Sequence, residues 1–123
     1  MGILNKIFGG EEGIREAMYE TCNKVTSRNP NLKAHEISAL VLHHRYKAIP
    51  IEIVMIIGVI FPEIEALTKW VIGLENSGFQ RANWPNPKFL EYLKDTTADE
   101  ERNKAFAYIQ DPKNMSDEVR SMF

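Results

Sequence analysis

The sequence has little cysteine and no long apolar run. Cys22 is the only cysteine, so an internal disulfide framework is excluded and a reducing compartment is the expected environment. The longest apolar stretch, residues 49–61, is interrupted by Glu52 and is shorter than the about 20 residues that a transmembrane helix needs. Residues 1–10 also lack the apolar core of a secretory signal. We therefore expect a cytoplasmic protein without a transmembrane segment.

An excess of charge of one sign is also missing. Fifteen basic residues are balanced by seventeen acidic residues, which gives a formal net charge of −2. The net charge therefore does not favour binding to nucleic acid or to an anionic membrane. The 123 residues suffice for one domain, and a hydrophobic content of 44% is typical of a folded globular chain. We predict a single domain that spans residues 1–123.

Residue patterns that carry known chemistry are absent as well. No histidine or cysteine has a second potential ligand three or four residues away, the spacing that places two metal ligands on one helix face. Neither a Gly-x-Ser-x-Gly nucleophile motif nor a glycine-rich phosphate-binding loop occurs. Cys22 is expected on a buried helix face, where a thiol is usually inert. The sequence thus indicates no catalytic residue, no metal site and no cofactor.

Apolar residues repeat with a helical period along most of the chain. This period predicts helices over about residues 11–27, 32–48, 51–60, 62–77, 88–94 and 97–110, with a short turn after Ser116. Prolines lie at several of the boundaries, where they end or begin helices. The pattern predicts an all-α single domain of five or six helices.

The same period predicts which side chains face inward. In the segment 32–48 the inward positions are Ala34, Ile37, Leu40, Val41, His44 and Ala48. In the segment 97–110 they include Ala105, Phe106 and Ile109, and the sequence Thr97-Ala-Asp-Glu100 has the form of a capping box.

Residues 51–60 are apolar except for Glu52, and seven of the ten are β-branched. Residue propensity alone favours a strand. The chain offers no second convincing strand to pair with it, so we predict a helix, and a strand only if two chains pair. A helix that is apolar on every side has to be covered on every side. It is therefore expected at the centre of the domain, at a homodimer interface, or both.

Two segments outside the long helices are rich in apolar side chains. Residues 1–10 resemble a short amphipathic arm, set off by Gly9-Gly10, and residues 79–87 form an aromatic and proline-rich loop. Such side chains can pin a loop to the core or form a recognition surface. Because no chemistry is indicated, we predict a non-catalytic protein–protein interaction or regulatory module that binds a protein partner or itself. The candidate interaction surface comprises Phe8, Phe79, Arg81 and Trp84.

Two alternative functions remain. A closed cavity between the second and third helices could bind a small apolar ligand, with His44 and Glu52 as its polar groups. The simpler interpretations are a hydrogen-bonded core histidine and a first-turn acid near a helix N-terminus. The basic residues 45–47 could instead contact the phosphates of a nucleic acid, although cations are favoured at a helix C-terminus in any case.

Overall fold

The computed structural model describes residues 2–79 and 84–122, with side chains described from Gly10 onward. These ranges contain seven α-helices and no strand, which confirms the predicted all-α single domain. The helices are α1 (Gly2–Arg28), α2 (Ala34–Arg45), α3 (Ile51–Ile60), α4 (Ile64–Asn76), α5 (Pro87–Thr96), α6 (Asp99–Gln110) and α7 (Asp117–Arg120). A 3₁₀ turn (Pro112–Asn114) connects α6 to α7. Six helices have ten or more residues, in agreement with the predicted number, and α7 is a single turn.

Local sequence signals account for several helix limits. Pro50 precedes α3, and Pro87 is the first residue of α5, where its missing N–H costs nothing. The Asn86 side chain accepts a hydrogen bond of 2.9 Å from the Lys88 backbone N–H and so caps α5. Gly78 follows α4 with φ of 100°, a conformation that favours glycine.

The separate N-terminal arm predicted for residues 1–10 does not match the backbone. Helix α1 continues through Gly9-Gly10 without a break, so residues 2–10 are its first turns. Glycine in a helix costs about 1 kcal/mol relative to alanine but does not forbid the helical conformation. The Phe8 side chain lies outside the described residues.

The helices pack in an order that differs from their order in the chain. Helix α3 contacts α2 on one side and α6 on another, and α1 contacts both α2 and α4. Helix α5 is attached to α4 through aromatic side chains: the Trp70 ring contacts Phe89 and Tyr92. The Tyr92 hydroxyl donates to the Trp70 carbonyl at 2.9 Å, and Trp70 Nε1 donates to Thr96 Oγ1 at 2.8 Å.

Residues 51–60 form a helix, as predicted, and the contact between α3 and α2 is unusually close. A Cβ atom added to Gly58 would lie 2.4 Å from the His35 carbonyl oxygen and 3.0 Å from Ala39 Cβ. The backbones therefore touch where neither helix has a large side chain. Val54, Met55 and Ile57 are buried, whereas the other apolar residues of α3 are only partly covered.

The inward face of α2 differs from the predicted one. Its buried residues include the polar side chains of His35, Glu36 and Ser38, whereas Ala34 and His44 are exposed. The prediction placed His44 inside with five apolar residues and left His35, Glu36 and Ser38 outside. It was wrong because hydrogen-bond partners far along the chain make burial of these polar groups possible.

Glu36 is fully buried and holds the chain segment before α7. Its Oε1 accepts from the Lys33 backbone N–H at 3.0 Å. Its Oε2 accepts from the Ser116 backbone N–H at 2.7 Å and from Ser116 Oγ at 2.8 Å. Ser116 is the N-cap residue of α7, so one carboxylate satisfies donors at the start of two helices that are distant in sequence.

The start of α6 differs from its prediction by one residue, and one of its predicted core residues is exposed. The N-cap is Ala98, whose N–H donates to Glu101 Oε1 at 2.9 Å, whereas Thr97 Oγ1 donates to the Leu93 carbonyl at the end of α5. Ala105 and Ile109 are buried as expected. Phe106 is 47% exposed, because its position is rotated away from the side that packs on α3.

We predict that Gly58→Ala lowers the free energy of unfolding by about 1–3 kcal/mol, because the added methyl meets backbone that cannot move aside. Gly13→Ala is the matched control, since a Cβ at Gly13 meets nothing within 4 Å. It should raise the free energy of unfolding by up to about 1 kcal/mol through helix propensity. Urea unfolding followed by circular dichroism measures both, and equal effects would contradict the close contact.

We also predict that Glu36→Gln destabilises the fold by about 1–3 kcal/mol, because glutamine has one acceptor oxygen and turns an NH₂ group toward backbone donors. Glu101 has the same place at the start of α6 but is exposed and accepts one bond. Glu101→Gln keeps that acceptor and should change stability by less than about 0.5 kcal/mol. Thermal unfolding of the two variants measures these changes. Equal losses of stability would contradict the structural role of Glu36.

Candidate functional site

The predicted ligand-binding pair, His44 and Glu52, is not brought together. His44 is exposed and lines a pocket between α1 and α2, whereas Glu52 is exposed and lines a hollow beside Ile109 and Arg120. The close contact between α2 and α3 at Gly58 lies near His35 and Ala39, away from His44 and Glu52. The pockets described here give no support to a shared ligand site, which stays a prediction. Glu52 lies in the first turn of α3, where negative charge is favoured.

The other two histidines are more enclosed than His44: His35 is buried and His43 is half-buried. Burial lowers the pKa of His35 below its usual value, and its Nε2 donates to the Asn114 carbonyl at 2.9 Å, so the imidazole is neutral near pH 7. Burial, followed by the charges of His44 and Lys47, lowers the pKa of His43. Nδ1 of His43 is buried without a hydrogen-bond partner among the described residues. No apolar pattern marks either position in the sequence.

Of the predicted interaction surface in the aromatic loop, the structure describes Phe79 and Trp84. Phe79 is 5% exposed, and its ring contacts Tyr46 and Phe89, so a partner cannot reach it in the folded chain. Trp84 is partly buried and contacts the edge of the same Phe89 ring. Arg81 and the Phe8 side chain lie outside the described residues. For Phe79 the prediction was wrong, because its neighbours come from α2 and α5.

The basic residues 45–47 are also less accessible than a phosphate-binding segment requires. Arg45 donates to both oxygens of Glu75, at 2.6 and 2.9 Å. The buried Tyr46 hydroxyl donates to the same carboxylate at 2.5 Å, and burial together with this bond raises the pKa of Tyr46 far above its usual value. Glu75 therefore holds two of the three residues that the nucleic-acid hypothesis uses. Lys47 remains exposed.

A groove between α5 and the start of α6 has an apolar lining that is open to solvent. Its apolar lining is Pro87, Leu90 and Leu93, and its volume is about 570 Å³. Leu90 is 42% exposed although Phe89 and Leu93 beside it are buried. Phe89 and Leu93 follow the i, i+4 period of the inner face of α5, and Leu90 does not. An apolar residue outside this period is the sequence signal that could have identified the groove. We call these residues, with the polar rim described next, the α5–α6 groove.

The far side of the α5–α6 groove is formed by Arg102, which is held firmly in place. Its NH1 donates to the Thr97 carbonyl and to Thr97 Oγ1, both at 2.7 Å, and its NH2 pairs with Asp99. Phe106 lies one turn further on the same face of α6 and is 47% exposed. Phe106 is therefore an exposed apolar side chain on the face of α6 that carries Arg102, outside the lining of the groove itself.

The rim of the α5–α6 groove carries charges of both signs. Glu91 and Asp95 are exposed and lie one turn apart on α5, and neither has an ion-pair partner among the described residues. Lys94 lies beside them, and Arg102 is already compensated by Asp99. The rim therefore carries the carboxylates of Glu91 and Asp95 together with the ammonium group of Lys94.

Comparison of the chain with protein-family models, with curated proteins and with solved structures found no match. Within residues 2–79 and 84–122, no helix combines the length and the apolar character needed to cross a bilayer. The same ranges contain no group of three or more His, Cys, Asp or Glu side chains arranged to hold a metal ion. A functional proposal therefore has to start from the surface features described above.

The sequence placed Phe79 at the surface and Phe106 in the core, whereas the structure buries Phe79 and exposes Phe106. We therefore predict different effects of replacing each of them on stability. Phe79→Ala should lower the free energy of unfolding by about 3–5 kcal/mol, because it empties a ring-sized volume beside Tyr46 and Phe89. Phe106→Ala should cost less than about 1 kcal/mol, because nearly half of the ring is already in water. Chemical unfolding of both variants measures this; a larger loss at Phe106 would reverse the assignment.

Proposed function

We propose that the protein is a non-catalytic interaction module that binds an amphipathic helix of a partner protein in the α5–α6 groove. The observation that carries the proposal is the open groove with the apolar lining Pro87, Leu90 and Leu93, in which Leu90 is 42% exposed. Exposed apolar patches rimmed by polar residues are typical of protein interaction sites. A cytoplasmic location, predicted from the sequence, belongs to this proposal.

The form of the groove favours a helix as its occupant. Two helices form its walls, and a third helix can place side chains at positions i, i+3 or i+4, and i+7 into such a channel. Leu90 and Leu93 line the groove, and we expect the partner helix also to contact Phe106, which is exposed one turn after Arg102 on α6. Large, partly exposed side chains of this kind often supply most of the binding energy.

The rim charges select among possible helices. Glu91 and Asp95 are free to pair, so the partner helix should carry Lys or Arg along the edge that faces α5. Arg102 is paired with Asp99 and needs no acidic partner. A second copy of this chain, which the sequence suggested as a binding partner, and a small apolar ligand are competing occupants that the experiment separates.

The test is site-specific photo-crosslinking from Leu90, with Met122 as a matched control. Both side chains are 42% exposed, so they differ in location rather than in accessibility. A photoreactive phenylalanine analogue at position 90 should crosslink to one segment of a partner protein, identified by mass spectrometry. That segment should be amphipathic and should carry Lys or Arg; the same analogue at position 122 should not label it.

Binding of the corresponding synthetic peptide then checks the chemistry. Leu90→Ser and Phe106→Ala should each raise the dissociation constant of the peptide by about fivefold or more, because each removes a large interface side chain. Glu91→Lys with Asp95→Lys should weaken it most strongly at low salt. Met122→Ser should leave the affinity unchanged. Crosslinks between two copies of the chain, equal labelling from both positions, or no discrete product would each overturn the proposal.

A further inference from the structure

A second pocket lies between α1 and α2, and it shares no residue with the α5–α6 groove. Lys24, Val25 and Arg28 enter it from α1, at spacings that place them on one helix face. Leu40 and His44 enter it from α2, and Lys47 follows directly after that helix. The pocket has a volume of about 310 Å³, near the lower limit of about 300 Å³ for small-molecule sites.

The lining of this pocket is strongly cationic. It includes three permanent positive charges and one histidine, and none of its eight lining residues is acidic. Lys24 has one acidic contact outside the pocket, Glu20 at 3.4 Å, but both side chains are largely exposed and such a pair is weak. The pocket therefore gathers positive charge that the protein itself does not neutralise.

Arg28 differs from the other arginines whose side chains are described. Arg15, Arg45, Arg102 and Arg120 each form an ion pair with a carboxylate. Arg28 has no such partner among the described residues. Its guanidinium is consequently free to form the two parallel hydrogen bonds with which arginine binds phosphate or carboxylate.

The floor of the pocket is apolar. Val25 is buried in the core cluster, and Leu40 is partly buried against it. A bare inorganic anion would leave this apolar surface exposed to water. A ligand with an anionic group and a small apolar or aromatic part would use both the cations at the rim and the floor.

Helix ends alone explain part of this arrangement. Cations are favoured near the C-termini of α1 and α2, but that effect is confined to the last turn of each helix. Lys24 lies one turn before the end of α1, and Lys47 lies beyond the end of α2. The helix dipoles also do not explain why these side chains surround one concave site with an apolar floor.

We infer that the pocket between α1 and α2 binds a small phosphate monoester, with the phosphate near Arg28 and Lys47 and the organic part on Val25 and Leu40. A phosphate monoester carries a charge of about −1.5 to −2 at pH 7. This charge matches a site with several cations better than the single negative charge of a carboxylate ligand does. The pocket volume of about 310 Å³ limits the ligand to one small molecule. This site is independent of the proposed partner groove.

The experiment is an NMR titration of the ¹⁵N-labelled full chain with phenyl phosphate. Saturable shifts should be confined to backbone amides around Lys24, Arg28, Leu40 and Lys47. Inorganic phosphate, which lacks the apolar part, should bind more weakly, and benzyl alcohol, which lacks the charge, should not shift these amides. A single-stranded oligothymidylate tests the diester phosphates of nucleic acid as the alternative ligand.

Arg28→Gln and Lys47→Gln should each raise the dissociation constant of phenyl phosphate by about tenfold or more, the loss expected for a charge-assisted hydrogen bond. Arg120→Gln is the matched control, because Arg120 is exposed but paired with Asp117, and it should have no effect. Thermal unfolding checks that all three variants are folded. Non-saturable shifts, equal effects of Arg28→Gln and Arg120→Gln, or tighter binding of the oligothymidylate at the same amides would overturn the inference.

Discussion

The backbone contact between α2 and α3 fixes the spacing of two helices, one of which holds the C-terminal part of the chain. Gly58 lets the two helices approach until its α-carbon faces the His35 carbonyl, and any side chain there would separate them. Both helices are short, so a change in their spacing at one point moves their ends as well. The start of α2 carries His35 and Glu36, which hold the chain at Asn114 and Ser116. The position of the C-terminal segment thus follows from a contact between two backbones.

Three carboxylates also connect helices of the domain. Glu36 receives donors from the start of α2 and from the N-cap of α7. Glu65 on α4 receives Arg15 and Tyr19 from α1, and Glu75 at the other end of α4 receives Arg45 and Tyr46. In each case one carboxylate accepts at least two donors, and for the buried Glu36 these bonds offset the loss of water around its charge.

These connections also decide which charges remain for ligands. Arg15 and Arg45 are held by α4, so they contribute to the fold and not to binding. Arg28 and Lys47, which have no such partner among the described residues, lie together between α1 and α2. On α5, Glu91 and Asp95 likewise remain unpaired along an apolar groove. The two candidate binding surfaces are therefore the places where apolar lining and uncompensated charge coincide.

The sequence by itself determined the all-α class and most of the helix limits. These features depend on neighbours in the chain: the apolar period within each segment, the prolines at positions 50 and 87, and the Asn86 cap all act over a few residues. For the segment 51–60, the absence of a partner strand decided correctly against its β propensity.

Only the tertiary structure decided which side chains are inside and which are free to bind. Glu36 is buried because Ser116, eighty residues away, supplies its donors, and Arg45 is occupied because Glu75 lies against it. The exposure of His44 and Phe106 follows from how α2 and α6 are rotated against their neighbours. The hydrophobic period placed His44 inside and gave no signal for the burial of Glu36. Whether a polar group is buried depends instead on a hydrogen-bond partner that folding brings from elsewhere in the chain.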